Sequence, residues 1–286
     1  MTSAGRRLAI AMLLGFAFAT TLAIAPRAPA QSLWLPRDSK HTVMLEMLRP
    51  NVERINGDVF SAAYFLGGRS CLGDRVAITW EIPFVHYDGA YSNDYYYSYY
   101  PYGQLAGVPQ SAAGNPYVGI ETRSGTKPFF MEFGFRLPLA TEEEWRALGH
   151  GKNTDRLRSN AFATNVTSIE AAFNVREITT HRMVYRLRLS PILTLPSSTG
   201  DPELYGNYSF EIGYQGRWAR VGAGMSGSSL LTASYGNLGI WTQSQFDLHG
   251  DFLAGAIRPG IALRMPTGSA AASVPLVLGV TLAWVR

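Results

Sequence analysis

Hydrophobic and polar residues alternate with a period of two along much of this chain, most clearly over residues 129–138. One face of that run carries only large apolar side chains: Phe129, Met131, Phe133, Phe135 and Leu137. The other face carries Glu132, Gly134 and Arg136 among its members. Because successive side chains of a strand point to opposite faces, the run predicts a β-strand with one strongly apolar side. Such a side faces either a sandwich core or lipid.

The same alternation recurs to the end of the sequence and decides between these two environments. Ten further runs show it: 43–48, 60–66, 75–84, 118–123, 183–194, 207–215, 219–226, 240–248, 257–265 and 276–284. Their polar faces hold Gly, Ala, Arg and Glu and almost no Lys, as expected for a crowded, partly hydrated interior. Segments of about ten residues with this pattern are typical of outer-membrane barrels. A secreted β-sandwich or a lipocalin-like barrel is the alternative.

The strand count follows from parity, because both ends of such a barrel lie in the periplasm and the number of strands is then even. The weakest segment, 161–175 with Phe162, Thr164, Val166 and Ile169, is assigned the missing strand. Thr141 and Glu144 before it have the spacing of a capping box, which predicts a helical turn through Leu148 that stops at Gly149. The predicted fold is all-β: a single transmembrane antiparallel barrel of 12 strands, with 10 as the alternative.

The first thirty residues have the pattern of a secretory signal. Arg6 and Arg7 precede an apolar run, and Ala28-Pro29-Ala30 supplies small residues for cleavage after Ala30. An uncleaved membrane anchor is the alternative. We therefore divide the chain into a signal peptide (1–30), a periplasmic N-terminal segment or plug (31–41) and an outer-membrane barrel (42–286).

Export changes the charge of the chain. The formal net charge of +4 falls to +1 when the three arginines of the signal are removed, so nothing indicates a nucleic-acid partner. Cys71 is the only cysteine, which excludes an internal disulfide.

Two stretches resemble known outer-membrane proteins. Residues 279–284 resemble the C-terminal signal that barrel-assembly machinery reads, with Gly279, Leu282 and Trp284 at its key positions, although the chain ends on Arg286 and not on an aromatic residue. Residues 114–121 (GNPYVGIE) and 133–138 (FGFRLP) resemble the middle of transporter-like outer-membrane channels associated with aromatic-degradation pathways. The resemblance covers about a fifth of the chain and implies a barrel of unspecified cargo.

The predicted inner faces carry many charges of both signs: Glu46, Arg75, Glu81, Glu121, Arg123, Glu132, Arg136, Arg186, Arg188, Glu211, Arg220, Asp247, Arg258 and Arg264. Opposite charges enclosed by a low-dielectric wall attract strongly, and an unpaired one is costly. One interpretation is a lattice of ion pairs that holds the lumen together. The other is a selectivity lining in which the extra arginines favour anionic or polarisable solutes.

A loop between the third and fourth predicted strands is unusually rich in tyrosine and is predicted to be extracellular. Its tyrosines are Tyr91, Tyr95, Tyr96, Tyr97, Tyr99, Tyr100 and Tyr102. Rings with a polar tip suit contacts with glycans, aromatic solutes or another surface. The alternative is a low-complexity loop over the barrel mouth or at the lipid headgroups.

Catalytic motifs are weak. None of the five histidines lies two residues before a serine, and residues 224–228 (GMSGS) miss the nucleophile-elbow pattern at their last position. His86 with Asp88 is the best acid–base pair, and no cysteine or histidine cluster indicates a metal. We expect a non-enzymatic barrel without a cofactor that acts as a passive channel or transporter for small solutes. The alternative is a surface-interaction or structural barrel that works through its Tyr-rich loop.

Overall fold

A computed structural model describes residues 40–51, 60–88, 109–122, 128–197, 200–232, 242–267 and 276–286. These residues contain one α-helix, α1 (Trp145–Thr154), with 3-10 turns at Glu142–Glu144 and Ser159–Phe162. The strands within the same ranges are β1 (His41–Asn51), β2 (Ala62–Cys71), β3 (Val76–Tyr87), β4 (Gln110–Ala113), β5 (Tyr117–Thr122), β6 (Phe129–Arg136), β7 (Val166–Ile178), β8 (Met183–Pro196), β9 (Glu203–Gln215), β10 (Ala219–Leu230), β11 (Thr242–Phe252), β12 (Ile257–Pro266) and β13 (Leu276–Val285). The predicted signal peptide lies outside the described residues.

The strands form one closed antiparallel sheet. Apart from β4 and β5, each strand pairs with its neighbour along the chain, and β13 returns to β1, where Leu282 lies opposite Leu45. β4 and β5 share a single place in the ring, because β4 pairs with the last residues of β3 and β5 with its first residues. The barrel therefore has twelve positions, and the predicted 12-strand fold is confirmed.

The two faces of the strands differ as the alternation predicted. Large apolar side chains cover the outside, and Phe133 and Phe135 on β6 are 49% and 45% exposed. On the same strand Glu132 and Arg136 are each 1% exposed, since they point into the lumen. An apolar outer band with charged residues inside matches a lipid-facing wall. Of the described helices, none is long and apolar enough to span a bilayer.

The connections distinguish the two ends of the barrel. Short turns at 72–75, 179–182, 216–218 and 253–256 lie at the end where β1 starts and β13 finishes. The longer connections, including 137–165, lie at the opposite end. Since outer-membrane barrels have short periplasmic turns and longer extracellular loops, the long connections mark the extracellular end.

The connection between β6 and β7, residues 137–165, folds into the barrel, and we call it the inward segment. Ala147, Leu148 and Phe162 of this segment are at most 1% exposed. They belong to a hydrophobic cluster with inward residues of five strands near the extracellular end: Leu48, Ala63, Phe65, Val85, Tyr87, Ala112 and Val277. Here the sequence prediction was wrong in two respects, since the helix continues past Gly149 to Thr154 and Phe162 precedes the strand that begins at Val166. Phe162 meets the Phe65 ring inside the barrel, with ring centroids 5.6 Å apart.

Asn115 fixes the inward segment to the wall, at the break between β4 and β5. Its backbone N–H donates to the Ala161 carbonyl (2.6 Å), and its side-chain amide donates to the Ala163 carbonyl (2.7 Å). Its side-chain oxygen accepts from the Ala140 N–H (2.9 Å), and its backbone carbonyl accepts from Arg136 (3.0 Å). One buried residue thus holds both ends of the segment.

Candidate functional site in the barrel lumen

The part of the lumen next to β1, β3 and β12 is filled by a closed network of charges. Arg158 of the inward segment donates from all three guanidinium nitrogens: to Asp155 (2.6 Å), to Glu81 (3.0 Å) and to Glu46 (2.5 Å). Its guanidinium also lies 3.5 Å from the centre of the Phe65 ring. Charge-assisted bonds to three carboxylates satisfy the whole side chain, so Arg158 ties the inward segment to β1 and β3.

Arg264 of β12 completes this network. It donates to Glu46 and to Asp155, each at 2.6 Å, while Arg136 of β6 donates to Glu81 at 2.7 Å. Burial alone would raise the pKa of the Asp155 carboxyl, but Arg158 and Arg264 together hold that pKa well below its usual value. Asp155 is therefore ionised at neutral pH and joins two arginines from opposite sides.

A second network joins β3, β5, β6, β7 and β8. Glu132 accepts from the hydroxyls of Tyr117 (3.0 Å) and Thr79 (3.1 Å) at one oxygen and from Arg188 (2.7 Å) at the other. The Tyr117 ring lies flat across Gly134, where an added Cβ would fall 2.3 Å from the ring. Gly134 is thus needed for close approach, because any larger side chain displaces Tyr117 from Glu132.

The other side of the lumen, next to β7, β8 and β9, contains a cavity that is partly open to solvent and has about 70 Å³ of space for the centres of water molecules. Polar and charged residues line most of this wall, including Glu170, Asn174, Arg176, Arg186, Arg188, Ser190, Asn207, Ser209 and Glu211. Asp155, Leu157 and Arg158 of the inward segment form the facing side. The lining reaches Phe130 and Arg176, near the end where the short turns lie.

The structure places most predicted lumen charges on the inner face, and several of them meet. Arg186 donates to Glu211 at 2.9 Å, and Arg220 donates to Asp251 at 2.5 Å. Glu121 accepts from Arg69. Arg258 lies partly buried on β12. Arg75 is the exception, since it lies in the exposed turn before β3 and not on the lumen wall.

The sequence also predicted two further groups of functional residues. Arg123 and the tyrosines at 91–102 lie outside the described residues. In the predicted assembly signal, Leu282 and Trp284 are on the outer face of β13, and Gly279 is on its inner face against Leu48 and Ala262.

Sequence reasoning missed several residues of these networks. Asp155 and Arg158 follow a helix and have no strand alternation that would place them in a lumen. Arg69 was missed because the predicted run 60–66 ends before it, whereas β2 continues to Cys71. Glu170 and Asn174 lie in the segment with the weakest pattern.

The candidate catalytic residues are not brought together. His86 contacts the Ser111 hydroxyl at 2.8 Å, a pair that the sequence did not indicate. Over the described ranges, the Asp88 carboxylate accepts from the Phe60 backbone N–H and not from His86. Ser226 donates to Asp247 at 2.5 Å, within the wall of the lumen. No group of three or more metal-ligating side chains occurs in the described parts of the chain.

Comparison with solved structures identifies the kind of barrel. The COG4313 outer membrane channel from Pseudomonas putida F1 matches 88% of this chain and 99% of its own, with a TM-score of 0.58 and 9% sequence identity. The NanC porin matches 85% of this chain and 99% of its own, with a TM-score of 0.52 and 6% identity. No protein-family model and no curated protein sequence matches.

These matches show that the fold is that of an outer-membrane β-barrel. The predicted likeness to transporter-like outer-membrane channels is confirmed at the level of the fold. The TodX monoaromatic hydrocarbon channel also aligns, over 93% of this chain, but its TM-score of 0.39 is too low to support an inference.

Proposed function

We propose that the protein is an outer-membrane channel for small polar solutes, with a preference for anions. The observation that carries this proposal is the cavity between the inward segment and the wall formed by β7, β8 and β9. Solutes would pass on this open side, because the side next to β1, β3 and β12 is filled by ion pairs. A barrel that bound its partners only from outside would have no need of a cavity lined by arginines and carboxylates.

The charge of the lining supports the preference for anions. Arginines outnumber carboxylates among the cavity-lining residues: Arg158, Arg176, Arg186, Arg188 and Arg264 against Asp155, Glu170, Glu211 and Asp247. Rings and rows of arginine favour anions in pores, and a low-dielectric wall strengthens their field. The inward segment restricts the width of the route, so the solutes would be small.

Conductance in a planar bilayer tests this function. The refolded mature chain should give steady current steps, and reversal potentials in a salt gradient should show that anions pass more readily than cations. Arg186→Gln should reduce this preference. Arg217→Gln removes the same charge from an exposed turn and should leave it unchanged. A folded, heat-modifiable barrel that passes no current would overturn the proposal.

A surface-interaction barrel is the second candidate, and the inward segment favours it. The segment bonds to Glu46, Glu81 and Arg264, and also to Asn207 and Gln243, so it crosses the lumen from one side to the other. Its working part would be the Tyr-rich loop. Replacing residues 91–102 with Gly and Ser would then abolish surface binding, whereas a channel would still conduct.

Export to the outer membrane belongs to the same proposal. Cleavage after Ala30 predicts a mature chain that begins at Gln31, which intact-mass spectrometry measures directly. Assembly through Gly279, Leu282 and Trp284 predicts that Leu282→Ala with Trp284→Ala lowers the amount of barrel in outer-membrane fractions. The matched control is Val221→Ala with Met225→Ala, which removes two lipid-facing side chains from β10.

A further inference from the structure

Arg156 is a buried arginine whose surroundings differ from those of its neighbour Arg158. It lies in the inward segment and is only 4% exposed. Its Nη1 donates to the Gln243 side-chain oxygen at 3.1 Å. Its Nε and Nη2 are buried and have no hydrogen-bond partner in the parts of the chain that the structure describes.

The buried charge of Arg156 destabilises the barrel when no ligand is bound. Burial lowers the pKa of the Arg156 guanidinium. Arg158 is also buried, but Asp155, Glu46 and Glu81 raise its pKa well above the ordinary value. A buried charge without an opposite charge costs several kcal/mol. A buried polar group without a partner therefore calls for an explanation, such as a bound solute or ion.

The two nitrogens in question form one edge of the guanidinium plane. Nε and Nη2 point in the same direction with the spacing of the two oxygens of a carboxylate or phosphate group, which is the usual bidentate arrangement. The bond from Nη1 to Gln243 holds the opposite edge and so fixes the direction in which the open edge points. A lysine at this position would carry the charge without this geometry.

The neighbouring wall is polar and suits an anion. Asn207, Ser228 and Gln243 occupy adjacent inward positions on β9, β10 and β11, as their pairing shows. All three are uncharged, so they would not repel an anion. Asn207 donates to the Leu157 carbonyl at 2.8 Å, and both residues also line the cavity. Arg156 directly precedes Leu157 in the chain and so lies next to the cavity lining without being part of it.

We propose that the Nε–Nη2 edge of Arg156 binds an oxyanion with two adjacent acceptor oxygens, a carboxylate or phosphate group of the solute. Gln243 is the second residue of β11, so the site lies toward the extracellular end and would receive a solute before the cavity does. This inference rests on the proposed channel function and deepens it, because it names the chemical class of the solute.

Isothermal titration calorimetry on the purified, refolded barrel tests the site. Sodium benzoate and sodium phosphate serve as probes at constant ionic strength, with sodium chloride as the reference titration. At least one probe should bind saturably to the wild-type barrel. Arg156→Lys should weaken its binding about tenfold or more, since a bidentate charge-assisted contact contributes about 1.5–3 kcal/mol. Arg156→Gln should weaken it further, and Arg217→Gln should leave it within about twofold, because it removes the same charge from an exposed turn.

The titrations distinguish a carboxylate site from a phosphate site. Binding of benzoate alone identifies a carboxylate site, and binding of phosphate alone identifies a phosphate site. The inference is overturned if neither probe binds the wild-type barrel saturably, or if Arg156→Gln binds as the wild type does. Heat modifiability on a gel verifies folding, and Arg156→Lys provides the decisive comparison should Arg156→Gln not fold.

The bilayer measurement distinguishes this inference from the channel function. A barrel that binds a probe but passes no current supports the Arg156 site and removes the channel. A barrel that conducts with the expected anion preference but binds neither probe removes the site and keeps the channel.

Discussion

The two sides of this lumen are built from the same residue types and differ in whether the inward segment fills the space beside their ion pairs. Next to β1, β3 and β12, Arg158 and Arg264 are each bound by more than one carboxylate, and the inward segment fills the space between them. Next to β7, β8 and β9, arginines and carboxylates line a cavity instead. The presence of an arginine in the lumen therefore indicates by itself neither a structural ion pair nor a path for solutes. Arg188 on the cavity side also binds two carboxylates, Glu132 and Glu170, so the space that the inward segment fills makes the difference.

The largest expected effect comes from the filled side. Asp155→Ala removes a carboxylate shared by two buried arginines and should lower the free energy of unfolding by about 3–5 kcal/mol, since it leaves buried charge uncompensated. Urea titration of the refolded barrel in detergent measures this change. Glu177→Ala, at an exposed position on β7, is the control and should change stability by less than about 0.5 kcal/mol. Similar losses for both variants would contradict the shared role of Asp155.

A smaller effect on stability is expected at Gly134, which the Tyr117 ring contacts. Gly134→Ala would place a methyl group against the Tyr117 ring and should lower stability by about 1–3 kcal/mol through overpacking. Gly149→Ala makes the same change in α1, where an added Cβ has no heavy atom within 4 Å. Because alanine favours helix more than glycine does, that variant should be as stable as the wild type or up to about 1 kcal/mol more stable. Thermal unfolding of both variants checks the contrast, and equal destabilisation would count against it.

The inward segment should also give stability a pH dependence. Burial, with a contribution from nearby His86, lowers the pKa of His150 to about 4, below its ordinary value of 6.5. The unfolded chain therefore binds more protons between these two values, so stability falls as the pH drops below 6.5 and stops falling through this group near pH 4. Between pH 7.5 and pH 5 the loss should be about 1–2 kcal/mol, after a discount for the partial exposure of His150.

Replacement of this histidine isolates its contribution. His150→Phe keeps a ring beside Tyr87, whose ring centroid lies 5.6 Å away, and should lose the pH-dependent component. Denaturant titrations of both proteins at pH 7.5 and pH 5 measure it. If the variant and the wild type lose the same stability, the pH dependence comes from other groups.

The smallest effect on stability is expected on the open side. Ser209→Trp puts a large side chain into the cavity and should change the free energy of unfolding by less than about 1 kcal/mol, since the cavity opens to solvent and the ring need not displace its neighbours. Its effect on conductance should be much larger, because the ring obstructs the proposed route. A stable variant with unchanged current would show that solutes do not pass there.

Sequence reasoning located the wall accurately because a strand has an exact period of two. The alternation placed Phe133 outside and Glu132 inside, and the structure confirms both positions. It failed where no such period exists. Nothing in the sequence around Asp155 and Arg158 shows that a connection returns into the barrel, because that depends on contacts with strands about a hundred residues away in either direction. The local pattern likewise cannot distinguish an arginine held by three carboxylates from one held by an amide.

The inward segment has a consequence for the order of assembly. It comes from the middle of the chain, yet it contacts Glu46 on β1 and Arg264 on β12, which flank β13, the strand whose pairing with β1 closes the ring. Its ion pairs therefore connect the strands on either side of the junction between the first and last strands. An open sheet in which β1 and β13 are unpaired would not hold Glu46 and Arg264 at the positions where the segment binds both.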